Sequence, residues 1–224
     1  GAKIRGVGTD VIRIEGVDTL RSTNTHTIIP DRIEAGTYLS LAAAIGDGVT
    51  LHNIIPEHLE SFTSKMIEMG VELQIGEDSI FVPHSTELQA INIKTLPFPG
   101  FATDLQQPIT PLLSRASGVS VIVDTIYPQR TKHVKELQNM GMNISAEGGL
   151  IMVERTHEMH GARVSAGEIR AGASLMIAGL MAQGETVITK ADNILRGYDR
   201  IVWKLNRLNA NVRIEDESGV EVIE

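Results

Sequence analysis

The sequence contains no cysteine. That excludes disulfides, thiolate metal sites and a cysteine nucleophile within these residues, so any cysteine chemistry would have to come from another segment. Long apolar runs are absent as well. "LSLAAAIG" is among the longest, far short of the roughly 20 residues that cross a bilayer, so no membrane partner is expected. A positive surplus is also lacking. The formal net charge of −8 argues against a nucleic-acid partner, because such proteins carry a basic field or patch. An anionic substrate stays open, since a few arginines gathered in one cleft dominate it locally. There is no P-loop or dinucleotide fingerprint: "GVGTD" reads as a hairpin turn, not a strand-to-helix loop. No initiator methionine, secretory segment or transit segment is visible. Cytoplasm is therefore the expected location, although a cut N-terminus would remove such a signal.

What is present is an ordinary globular balance, 42% hydrophobic and 21% charged over 224 residues, enough for a proper core in one domain or two small ones. Self-similarity organises it. "MGVELQIGEDSIFV", "MGMNISAEGGLIMV" and "LNANVRIEDESGVEVI" each read as strand, tight turn, strand. Upstream of each lies a one-sided helix: "PEHLESFTSKMIEM", "RTKHVKELQNM" and "GYDRIVWKLNRL". Further upstream come a strand and a helix that is apolar almost all round: "PDRIEAGTYLSLAAAIG", "TDLQQPITPLLSRASG" and "GEIRAGASLMIAGLMAQG". Gly48, Gly118 and Gly184 mark equivalent places about 70 residues apart, a period suited to a β-α-β-α-β-β module.

The expected fold class is therefore α/β (α+β). Three such units, about 21–95, 96–160 and 161–224, surround buried helices. The opening "GAKIRGVGTDVIRIEG" matches only the closing hairpin of a unit, with Gly1 standing where Gly70 and Gly141 stand. Residues 1–20 thus read as the terminal hairpin of a truncated upstream domain. Helices apolar on every face belong inside, and one-sided helices belong outside, with Leu59, Phe62, Met66 and Met69 facing in. Trp203 and the methionines are expected in the core.

Each inner helix begins with an acid: Asp31, Asp104 and Glu168. Such a residue satisfies orphan N–H groups and the helix dipole, and for Asp31 and Glu168 capping is the favoured reading. If the three helices run parallel, their positive ends converge on one face suited to phosphate or carboxylate. Arg32, Arg130, Arg170, Arg196 and Arg200 recur at or near helix starts, where the dipole disfavours cations unless an anion joins them. The histidines of "HEMH" lack a third ligand at convincing spacing, so no metal is expected.

"PDRIEAGT", "ATDLQQ", "HVKELQNMG", "IRAGASLMIAGLMAQGET" and "RGYDRI" occur in an order that resembles the enolpyruvyl transferase family, and within it the UDP-N-acetylglucosamine 1-carboxyvinyltransferases. The resemblance runs through essentially the whole chain. It implies an inside-out α/β barrel of the enolpyruvyl transferase type, with this chain as the C-terminal half of a two-domain enzyme whose cleft lies between the domains. It also implies phosphoenolpyruvate and UDP-N-acetylglucosamine as substrates, no cofactor, and a first committed step of peptidoglycan synthesis. The family's proton-donating cysteine or aspartate and its Lys-Asn pair would lie in the missing N-terminal half, so the isolated chain should be inactive. By the same resemblance, Asp104 stands beside the attacking sugar hydroxyl and Ile126 contacts the sugar nucleotide. Thr103 could hydrogen-bond its nucleotide side. Arg130, Arg170 and Arg196 would line the phosphoenolpyruvate pocket, where a guanidinium fork suits carboxylate and phosphate.

The chain departs from the family's usual pattern at several places. Glu168 replaces a shorter acid, Leu195 stands where an acid is common, and "YPQRTKH" replaces "FENRFMH" while keeping Arg130 and His133. These departures leave open a non-catalytic sugar-nucleotide-binding paralogue, and the shared fold leaves open a 3-phosphoshikimate 1-carboxyvinyltransferase.

Overall fold

The computed structural model describes residues 1–22, 24–216 and 218–222. The third expected hairpin includes positions 217 and 223, which lie outside the described residues, as does the terminal Glu224. The chain forms two compact units, Gly1–Pro30 and Asp31–Glu224. In the first, β1 (Lys3–Arg5) pairs antiparallel with β2 (Arg13–Glu15), placing Ile4 opposite Ile14. Gly6 and Gly8 take the positive φ that the connecting turn needs. The apolar side chains of Ile4, Val7, Val11, Ile12 and Ile14 are exposed.

The second unit begins with α1 (Arg32–Ile45), β3 (Val49–His52) and a 3-10 turn (Pro56–Leu59) leading into α2 (Glu60–Glu68), then the hairpin β4 (Gln74–Ile75) and β5 (Ser79–Val82). There follow β6 (Asn92–Lys94), α3 (Thr103–Leu113), β7 (Val119–Val123), α4 (Lys132–Asn139), β8 (Ile144–Glu147) and β9 (Leu150–Glu154). The last stretch is β10 (Arg163–Ser165), α5 (Ile169–Met181), β11 (Val187–Thr189), α6 (Asp192–Leu195), α7 (Ile201–Arg207), β12 (Ile214–Glu215) and β13 (Glu221–Val222). β5 pairs antiparallel with both β3 and β4. The largest sheet has the order β6-β7-β9-β8, with only the β6-β7 pair parallel. β10 and β11 form a parallel pair.

α1, α3 and α5 pack on one another, and most residues of each are buried. They run parallel. Their first turns meet, because Arg170 of α5 reaches Asp104 of α3 and Gln107 of α3 reaches Glu168 at the start of α5. Their last turns share the opposite end, where Ala44, Ser114 and Met181 line one cleft. There Arg115 donates to the terminal carbonyls of Ala43 and Ala44, groups with no partner inside their own helix. Each inner helix gives way to its strand through a left-handed glycine: Gly48, Gly118 and Gly184 have φ of 86°, 104° and 86°.

The one-sided reading of α2 holds: Leu59, Phe62, Met66 and Met69 are buried, while Glu57, Glu60 and Glu68 face water. Trp203 departs from expectation. It is 47% exposed, with the guanidinium groups of Arg200 and Arg207 at 4.4 and 5.1 Å from its ring. Two cations three and four residues away on the same helical face hold the indole at the surface by cation–π attraction.

Gly36 sets the approach of α1 to α3, since a Cβ there would lie 2.5 and 2.8 Å from the methyl carbons of Leu105. Gly36→Ala tests that contact. A helical alanine gains about 1 kcal/mol over glycine, whereas overpacking a filled core costs about 1–3 kcal/mol. Leu105 is 1% exposed and has no room to retreat, so the net effect is expected to be a loss. A lower urea midpoint is the expected result; a raised midpoint would show that Leu105 can repack.

Candidate functional site

The joined first turns of α1, α3 and α5 hold charged side chains in distinct roles. Asp31 caps α1, accepting from the backbone N–H groups of Ile33 at 2.7 Å and Glu34 at 3.3 Å. Glu168 occupies the corresponding place before α5 but makes no side-chain cap. Its carboxylate instead accepts from Gln107 Nε2 at 2.8 Å and lies 3.6 Å from Arg130 Nε. The expected cap is thus realised at Asp31 and replaced at Glu168, where a longer acid reaches across to the neighbouring helix.

Asp104 lies in the first turn of α3, its side chain 37% exposed. Oδ1 accepts from Arg130 Nη1 at 2.7 Å, and Oδ2 faces Arg170 Nε at 3.4 Å. Arg130 comes from the connection between β7 and α4 and stacks 4.8 Å from the Tyr127 ring. Arg170 comes from the first turn of α5 and donates to Tyr198 Oη at 3.2 Å. Tyr198 is fully buried and shares a 3.0 Å hydrogen bond with Thr37 of α1. Burial pushes the Tyr198 phenol upward despite the Thr37 and Arg170 bonds, which act in the opposite direction. The neutral phenol oxygen therefore serves Arg170 as an acceptor.

Thr103, Asp104, Arg130 and Arg170 are brought together. Ile126 borders them on the turn after β7, 37% exposed, with its N–H donating to Asp124 Oδ1 at 3.0 Å. The Thr103 hydroxyl donates inward to Asp124 Oδ2 at 2.6 Å and receives Arg130 Nη1 at 3.4 Å, so it meets any ligand only as an acceptor. Arg196 follows α6 rather than starting a helix. Its backbone N–H closes α6 on the Asp192 carbonyl, while its side chain is exposed and has no hydrogen-bond or ion-pair partner among the described residues. Its neighbour Gly197 lies against Ile169, which places this turn beside the start of α5.

Four contributors escaped the sequence reading as site residues: Asp124, Tyr198, Gln107 and His133. His133 is 1% exposed. Its ring nitrogens lie 3.4 Å from Gln106 Nε2 and 3.1 Å from Gln107 Nε2. Burial, reinforced by the Arg130 charge, pushes it down to about 3. Among the described residues no group of three His, Cys, Asp or Glu side chains is placed to hold a metal ion, and no helix is long and apolar enough to cross a membrane.

Three parallel buried helices with small sheets about them form the fold of the enolpyruvyl transferases. The structure superimposes on the crystal structure of the enolpyruvyl transferase NikO from Streptomyces tendae with a TM-score of 0.85 at 24% identity, covering 95% of this chain and 51% of that one. The profile of the EPSP synthase (3-phosphoshikimate 1-carboxyvinyltransferase) family matches residues 1–205. The chain belongs to that family. It is 65% identical over 220 residues to UDP-N-acetylglucosamine 1-carboxyvinyltransferase 2 of Lactiplantibacillus plantarum, a match covering 98% of this chain and 52% of that protein. It is 60% identical over 217 residues to the protein of the same name from Latilactobacillus sakei, covering 97% and 52%. The chain thus spans about half the length of the curated relatives it matches.

Proposed function

We propose that the protein to which this chain contributes transfers an enolpyruvyl group from phosphoenolpyruvate to UDP-N-acetylglucosamine and releases phosphate, in the cytoplasm, as the step that commits the sugar nucleotide to peptidoglycan. One observation carries the reading: a half-exposed Asp104 carboxylate gripped by Arg130 and Arg170 where three helix N-termini meet. The names of the similar proteins from L. plantarum and L. sakei support the choice of acceptor.

In this reading a proton reaches the methylene carbon of phosphoenolpyruvate, and the adjacent carbon becomes electrophilic. The sugar hydroxyl forms a C–O bond to it as Asp104 takes the hydroxyl proton. The new methyl group then gives up a proton, the C–O bond to phosphate breaks and the double bond returns. Each Asp104 oxygen retains a lone pair beyond its arginine contact, so the carboxylate can still meet a hydroxyl. The arginines fix its direction at some expense of basicity. Arg130, Arg170 and the exposed Arg196 bind the carboxylate and phosphate of phosphoenolpyruvate, while Ile126 and Thr103 border the sugar nucleotide. The proton donor and the rest of the cleft come from a segment outside these 224 residues, joined through the hairpin of residues 1–20, with 21–224 forming the three-unit domain. The exposed apolar side chains of that hairpin fit a surface that such a segment covers.

Full-length protein is expected to release phosphate from phosphoenolpyruvate with UDP-N-acetylglucosamine and not with shikimate 3-phosphate. The EPSP synthase family takes its name from that second acceptor, and a preference for it would replace the reading. Nucleotide binding with no turnover would instead favour a sensor. The 224-residue chain alone is expected to be inactive, and phosphate release by it would show that its own residues suffice.

A further inference from the structure

Asp124 is 5% exposed, and no cation pairs with it among the described residues. A carboxylate so placed is costly unless its lone pairs are filled. Here four donors fill them. Oδ1 accepts from Thr95 Oγ1 at 2.7 Å, Ile126 N at 3.0 Å and Tyr127 N at 2.9 Å; Oδ2 accepts from Thr103 Oγ1 at 2.6 Å. These bonds outweigh the burial that would otherwise raise its pKa, and hold the group below the usual carboxylate range.

The two oxygens serve two parts of the site. Because Oδ2 can only accept, the Thr103 proton must point at it. The Thr103 lone pair is then left for Arg130 Nη1, the same nitrogen that holds Asp104 Oδ1 at 2.7 Å. Through Oδ1 the carboxylate fixes the backbone of Ile126 and Tyr127, and the Tyr127 ring lies under the Arg130 guanidinium. The turn is clamped to the end of β6 besides, Thr125 N donating to Thr95 Oγ1 at 2.9 Å.

We propose that Asp124 is a positioning residue: one buried carboxylate that sets the polarity of an Arg130–Thr103 relay to Asp104 and anchors the Ile126–Tyr127 turn at the same time. The assignment of catalytic consequences rests on the proposed enolpyruvyl transfer; the anchoring does not.

Asn at position 124 preserves shape and keeps Oδ1, but it turns an N–H toward Thr103. The hydroxyl must then accept from the amide, and its proton, no longer held by a carboxylate, turns to another direction, so the lone pair offered to Arg130 is no longer fixed. In full-length protein, Asp124→Asn is expected to lower kcat by about tenfold to a hundredfold, as misplacement of a reacting group does. KM for the sugar nucleotide should change less than threefold. Thr103→Val should reproduce that loss, and the double variant should add nothing to it, as for two members of one relay. Asp124→Ala should in addition raise the sugar-nucleotide KM. It should also speed amide exchange at Ile126 and Tyr127 by about tenfold or more, the loss of a charge-assisted hydrogen bond. A purely structural residue would shift stability without this division between kcat and KM. Additive losses in the double variant, or unchanged exchange at both amides in Asp124→Ala, would overturn the proposal. If the unsubstituted protein transfers no enolpyruvyl group, the functional reading fails, yet the exchange measurement still decides the anchor.

Discussion

Asp104→Ala in the full-length protein is expected to lower kcat by about 10²–10⁴, the range lost with a general base, or roughly 3–5 kcal/mol of transition-state stabilisation. Removing the carboxylate also leaves Arg130 and Arg170, with side chains only 18% and 15% exposed, without the anion they share. Their repulsion favours an incoming anion, so KM for phosphoenolpyruvate is expected to hold or fall while kcat collapses. That opposition separates chemistry from binding, because a residue that merely shaped the pocket would raise KM. Turnover within about threefold of the parent would remove Asp104 from the reaction.

The second large effect concerns acid. Buried His133 stays neutral in the fold, pushed down to about 3, whereas an unfolded chain takes up its proton near 6.5. The unfolded state therefore binds more protons between these values, and stability falls as pH drops through that window. Each pH unit below 6.5 removes about 1.4 kcal/mol, so pH 5 should cost roughly 2 kcal/mol relative to pH 7. The groups facing the ring cannot welcome its charge. Gln106 and Gln107 are neutral, Arg130 repels it, and Glu168 reaches it only through the Gln107 amide. Urea unfolding of the parent and His133→Gln at pH 7 and pH 5 checks this. Whatever the substitution does to absolute stability, it should flatten the pH dependence by that amount. Equal pH dependences would exclude His133 as the sensitive group.

Legibility in the sequence followed the range of the interactions. Gly48, Gly118 and Gly184 were visible because a left-handed turn is decided by one residue and recurs with the unit. The inner and outer helices were visible through their periodicity. Asp104, Arg130 and Arg170 could be named from their places at or near helix starts together with collinear motifs, and Arg196, which ends a helix, from the motifs alone. Asp124 was not, since its partners Thr95 and Thr103 lie 29 and 21 residues away. Its local signal was an aspartate at a strand end two residues before free N–H groups, an Asx turn that many loops share. Tyr198 depended on Thr37, 161 residues earlier. Trp203 was misjudged by treating an aromatic as core without weighing the arginines on its own helical face. Glu168 looked like a cap because position alone suggested one, while Gln107 and Arg130 claimed its oxygens.

Arg115 has a consequence that reaches past its own neighbourhood. Antiparallel rods cancel their axial fields, but parallel ones accumulate them, to roughly half a charge per helix at either extremity. The N-terminal extremity draws on the carboxylates of Asp31, Asp104 and Glu168 to temper that accumulation. At the opposite pole, the guanidinium on the Ala43 and Ala44 carbonyls is the counterweight. A face assembled from co-directed dipoles is thus balanced from the far ends of the same helices, beside the cleft that Ala44, Ser114 and Met181 line.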